Sequence, residues 1–117
     1  MAAIPETSAI QGYHAHVYYD AATLDPARRL CETASRRFGL EMGRMHQQEV
    51  GPHPRWSCQL SVPPHRFGEV IPWLALNRGA LTVFVHVRTG DDLLDHTQGE
   101  IWLGPSVPLK LEMFGKA

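Results

Sequence analysis

With 117 residues the chain has room for one hydrophobic core, and a second folded domain is excluded. Apolar residues at 44% and charged residues at 20% are globular proportions, which exclude a disordered or low-complexity chain. Eleven Lys and Arg against twelve Asp and Glu leave a formal net charge of −1, with no cationic surplus for a polyphosphate, so a nucleic-acid partner is not expected.

No apolar run approaches the ~20 residues that a bilayer crossing requires, so no membrane partner is expected. Residues 1–11 carry neither a basic n-region nor an apolar h-region. They read as a flexible tail ahead of a single domain spanning 12–117, in a cytoplasmic protein. Cys31 and Cys58 lack CxxC spacing and are expected as reduced core residues.

In YHAHVYY, at 13–19, Ala15, Val17 and Tyr19 alternate with His14, His16 and Tyr18, which predicts a strand with one polar face. Asp25 and Pro26 supply an N-cap and an N1 proline. The apolar positions 27, 30, 31, 34 and 38 then follow helical spacing until Gly39 stops them. Residues 42–50 alternate weakly and suggest an exposed edge strand before the stiff connection Gly51-Pro52-His53-Pro54. Residues 56–62 alternate again, with Cys58, Leu60 and Val62 inward and Ser57, Gln59 and Ser61 outward.

Phe67, Val70, Ile71 and Leu74 mark a second helix, which Pro72 is expected to kink or shorten and which ends at Asn77, Arg78 and Gly79. Residues 81–87 form a further strand with Thr82, Phe84 and His86 on one side, followed by a turn at 89–91. The segment 100–114 either extends the sheet or packs on a partner subunit.

The order predicts an α+β chain: a ferredoxin-like βαββαβ sandwich, its antiparallel sheet carrying two helices on one face, with a C-terminal extension. The strand order 4-1-3-2 usual for that fold sets the first and last core strands side by side. It gathers His14, His16 and His86 on the helix-free face.

Two histidines two positions apart on a strand lie on the same side, ~6.6 Å apart at a rise of ~3.3 Å per residue. Both can reach one metal ion, and a third imidazole from a neighbouring strand completes a facial triad with positions open for substrate and dioxygen. His14, His16 and His86 are therefore the metal-ligand candidates, with inert interface histidines as the plain alternative. Asp95 or Glu49 is the carboxylate that could replace one imidazole. His53 sits in a proline-stiffened loop that can hold a ring over a site, and His96 follows Asp91, Asp92 and Asp95, which could orient it or form a solvated loop. His46 and His65 read as ordinary exposed residues, and Trp56, Trp73 and Trp102 as core or interface anchors. Walker A, GxGxxG, GxSxG and HExxH motifs are absent.

Four separated motifs, YHAHVYYD at 13–20, GPHPRW at 51–56, LNRGALTVFVHVRTGDD at 76–92 and DHTQGEIWLG at 95–104, together resemble the DOPA 4,5-dioxygenase family over nearly the whole chain. Val87 departs from the proline more usual in that family after the strand histidine. The resemblance implies a small ferredoxin-like homodimer that opens the ring of a catechol such as L-DOPA with non-haem Fe(II) and O2, with zinc or nickel able to occupy the site on purification. It carries the family's histidines onto His14, His16, His53, His86 and His96. His53 or His96 is then the candidate for catalytic proton transfer, and Arg55, Arg78 and Tyr18 are the candidates for substrate binding. The rival readings are a non-catalytic dimeric module that binds a metal or small aromatic ligand, and an interaction protein with histidines at its interface.

Overall fold

The computed structural model describes residues 5–115. Five strands, β1 (Gly12–Tyr19), β2 (Glu41–Met42), β3 (Trp56–Val62), β4 (Thr82–Arg88) and β5 (Glu100–Leu103), form one sheet in the order β2-β3-β1-β4-β5. Every neighbouring pair is antiparallel. The helices are α1 (Leu24–Phe38), α2 (Phe67–Asn77) and a short α3 (Asp92–Thr97).

Alternation along the strands sorts the side chains between two faces. Ala15, Val17, Tyr19, Cys58, Leu60, Val62, Val83 and Val85 pack with Ala27, Leu30, Cys31, Ala34 and Phe38 of α1 and Val70, Ile71 and Leu74 of α2 in one core. Both cysteines are free thiols buried there. Each aliphatic side chain so buried contributes about 1.5–3 kcal/mol, so the sheet's helix side supplies most of the stability.

Several local expectations need correction. The strand expected over 42–50 is only the two residues Glu41–Met42. Beyond it, Gly43 N and His46 N still donate to Gln59 O and Ser57 O and Met45 packs against the core, and the chain then leaves the edge through a mostly polar stretch without the alternation a strand needs. Asp25 is not the helix cap: Asp20 caps a 3-10 turn at Ala21–Thr23 in a reciprocal capping box with Thr23, and α1 begins at Leu24. Pro26 thus sits third in α1, where its missing N–H has no intrahelical acceptor to lose. Gly39, at φ 65°, closes α1 as expected.

Pro72 does not shorten α2, which continues to Asn77. The carbonyl it leaves without a donor belongs to Gly68, in an exposed first turn where water can replace the bond. The last core strand is shifted by one residue, to Thr82–Arg88.

The acidic stretch after the turn at 89–91 is a short helix, α3, rather than a solvated loop. Asp91 accepts from Leu94 N and caps it, while buried Asp95 accepts from Thr89 N (2.8 Å) and Thr89 Oγ1 (2.6 Å). Gly99 then takes the chain into β5, which extends the sheet. A Cβ on Gly99 would overlap Val87 Cγ2, and Val87 N donates to Gly99 O at 2.9 Å. Gly99→Ala is therefore expected to cost about 1–3 kcal/mol by forcing β4 and β5 apart, read as a lower denaturation midpoint. An unchanged midpoint would show that this junction yields freely.

Candidate metal centre

Strand register builds the site. His14 of β1 faces His86 of β4 on one side and Ser61 of β3 on the other, and one pleat further His16 lies between Phe84 and Gln59. All of these side chains point to the sheet face away from α1 and α2. The rigid connection holding His53 crosses that face from one side, α3 brings His96 from the other, and Phe114, in a 3-10 turn at Leu111–Phe114, closes over His96 at 4.6 Å between rings. Lys110 N donates to Pro52 O at 2.8 Å and ties the tail to the His53 loop.

Five imidazoles meet in the resulting cleft of about 290 Å³. The candidate ligand atoms of His14, His16 and His86 all lie within 4.8 Å of one another, and His16 Nε2 is 3.1 Å from His86 Nε2. An ion held at ~2.1 Å by two imidazoles at a right angle sets their nitrogens ~3 Å apart, so this pair already has ligand spacing. His86 Nδ1 donates to Val87 O at 2.8 Å, which assigns its proton and leaves the Nε2 lone pair facing the centre. His53 and His96 flank the trio, with His53 4.0 Å from the His16 ring and His96 4.1 Å from the His86 ring.

Burial first, and then repulsion among the neighbouring imidazoles, keeps His14, His16, His53 and His86 neutral. The pKa of His14 is lowered to about 4, and His16 falls well below the usual imidazole value. His53 is lowered to about 4, and His86 is lowered too. Neutral imidazoles with an assigned tautomer are the form that binds a divalent transition metal, so the donor set fits one.

Asp95 lines the cleft but its two oxygens are occupied by Thr89, and Glu49 pairs with Lys110 on the surface. Neither carboxylate joins the close group of three. His46 lends its backbone carbonyl to Tyr19, and His65 sits exposed in the turn at Pro64–Arg66.

The other candidates divide. Tyr18 is buried on the same face, and its hydroxyl is 2.7 Å from His53 Nδ1. Burial pushes the Tyr18 phenol up, so it stays protonated; when it donates to Nδ1, His53 carries its own proton on Nε2. Arg55 lines a neighbouring recess with Tyr18, Thr82 and Pro105. Arg78 is not brought to the imidazoles. It ends α2, donates to Leu81 O at 3.0 Å, and lines a larger groove between α1 and α2 that holds no cluster of ligating groups.

Sequence reasoning overlooked two other lining residues, Arg88 and Phe114. The alternation 84, 86, 88 could have flagged Arg88. Nothing local marks Phe114, which reaches the cleft only through the path of the tail.

Comparison with known proteins adds to this geometry. The family model described as the Dopa 4,5-dioxygenase family matches residues 13–113. The chain is 37% identical over 122 residues to an uncharacterized 21.2 kDa protein of Botryotinia fuckeliana, covering 93% of this chain and 67% of that protein. It is 34% identical over 113 residues to the DOPA 4,5-dioxygenase of Amanita muscaria, covering 89% of this chain and 50% of that protein. A crystal structure of a proposed dioxygenase from Nostoc punctiforme superposes with a TM-score of 0.91 at 42% identity, covering 93% of this chain and 95% of the other.

Proposed function

Since the chain belongs to the Dopa 4,5-dioxygenase family, we propose that it is an extradiol-type dioxygenase that opens the ring of a catechol such as L-DOPA with Fe(II) and O2. The observation that carries this reading is the convergence of three neutral imidazoles, from opposite ends of the sequence, on one point of the sheet. His14, His16 and His86 would hold the ion. Bound there, Fe(II) would supply Lewis acidity toward a catechol and the redox chemistry that a reaction with dioxygen requires. Catechol and O2 combine to a ring-opened product that keeps both oxygen atoms, so no external reductant is consumed.

The flanking histidines have different work. His96 Nδ1 donates to Asp92 O at 2.7 Å, which leaves Nε2 as a lone-pair acceptor for a catechol proton. His53, with Tyr18 donating to its Nδ1, presents an N–H to the substrate from the other side. Phe84 and Phe114 pack on His96 and exclude water from that edge. The same proposal includes a ferredoxin-like description of the fold and a cytoplasmic homodimer. No described helix is long and apolar enough to cross a membrane.

Anaerobic loading with Fe(II), followed by L-DOPA or caffeate and air, should give oxygen uptake and a yellow ring-opened product. Iron-loaded protein that consumes no oxygen across a panel of catechols would overturn the assignment.

A further inference from the structure

We propose that Arg88 is the specificity-determining residue of the cleft and selects catechols whose ring substituent ends in a carboxylate. The inference rests on the catechol reading above and adds to it the chemical class of the substituent and the residue that reads it.

Arg88 is the last residue of β4, two positions beyond His86 and therefore on the same face of the strand. It lines the imidazole cleft with His14, Gln11 and Gln59. It also lines the adjoining groove, of about 450 Å³, that runs past Gln11, Gly12 and Ser61. It thus stands where the two openings meet, the position that the substituent of a ring held against the imidazoles would pass.

Its backbone is anchored, since Arg88 O accepts from Gln11 N at 2.7 Å. Arg88 is exposed and, among the described residues, forms no salt bridge. The guanidinium lies beside β1 at Gly12, a nitrogen 3.7 Å from where a Cβ on that glycine would stand.

Among the described residues, Arg88 is the one Lys or Arg side chain that lines either opening; the carboxylates there are Asp95, held by Thr89, Asp92 on α3, and the exposed Glu41 in the adjoining groove. Arg78 is committed to backbone carbonyls on the helix side of the sheet. A guanidinium with free donors matches a carboxylate bidentately, whereas a neutral or cationic substituent at this place gains nothing or is repelled.

The test is calorimetric titration of the anaerobic Fe(II)-loaded protein with three catechols of similar size: 3,4-dihydroxyphenylpropionate, 4-ethylcatechol and dopamine. The carboxylate should bind about tenfold or more tightly than the other two, the scale of one charge-assisted pair at a partly exposed site. Arg88→Gln should erase that preference while 4-ethylcatechol binds as before, and Arg88→Lys should restore part of it. Equal binding of the three by the unaltered protein, a preference that survives Arg88→Gln, or one lost instead in Arg55→Gln would overturn the inference and leave the catechol reading standing. Binding of none of the three would remove the catechol reading, and the role of Arg88 with it.

Discussion

His86→Ala should lose bound iron and ring-opening activity together while keeping its fold. His86 is the one member of the trio contributed by β4, and without it the ion would retain two imidazoles from a single strand. Altering even an outer partner of a metal ligand typically costs 10–100-fold, so loss of a ligand should weaken affinity by at least about 100-fold. The stability cost should be smaller, about 1–3 kcal/mol, from a cavity beside Phe84 and His96 and the loss of the bond to Val87 O. Metal content per protomer by mass spectrometry, oxygen uptake and far-ultraviolet circular dichroism separate the two effects. Full iron occupancy with undiminished turnover in His86→Ala would remove the three-histidine centre.

The metal-free protein should lose stability steeply between pH 6.5 and pH 5. In the folded state His14 and His53 titrate at about 4, and His16 and His86 are also lowered, whereas in the unfolded chain each returns to about 6.5. Above 6.5 both states hold these rings neutral and stability is insensitive to them. As pH falls below 6.5 the unfolded chain takes up protons that the folded chain refuses, so the equilibrium moves toward unfolding until the folded pKa values are reached. Exposed carboxylates titrate mostly below pH 5, so this window isolates the histidines. With four rings contributing, Tm should drop by roughly 10 °C or more from pH 7 to pH 5, scaled by the usual few degrees per kcal/mol for a domain of this size. A flat Tm across that window would mean that the rings are already hydrated and able to charge. Saturating Fe(II) or Zn(II) should raise Tm at pH 7, because the metal binds the folded arrangement in preference to the unfolded chain.

The two kinds of information meet unevenly along the chain. Where a segment's fate depends on its own periodicity, its residues were sufficient. β1 and β3 sort correctly between their two faces, α1 ends at Gly39, and His14, His16 and His86 fall on a common sheet face, because alternation and helical spacing are local properties of covalent geometry. Where the outcome depends on what a segment meets, the same reasoning failed. The stretch after Met42 buries only Met45 against the core and keeps two bonds to β3, from Gly43 N and His46 N, before it continues as a loop that brings His53 to the cleft. The acidic run after Thr89 becomes α3 only because Asp91 and Asp95 both find donors across a turn.

So the sequence by itself determined β1, β3, β4 and the two long helices, and that His14, His16 and His86 share one sheet face, since these follow from side-chain spacing along the backbone. Tertiary structure alone decided that His53 and His96 close on that centre from opposite sides, that Asp95 is taken by Thr89, that Arg78 faces away, and that Arg88 and Phe114 border the cleft. Each of those depends on the course of a connecting segment. Such a course is set by contacts between residues far apart in the chain, which no local periodicity encodes.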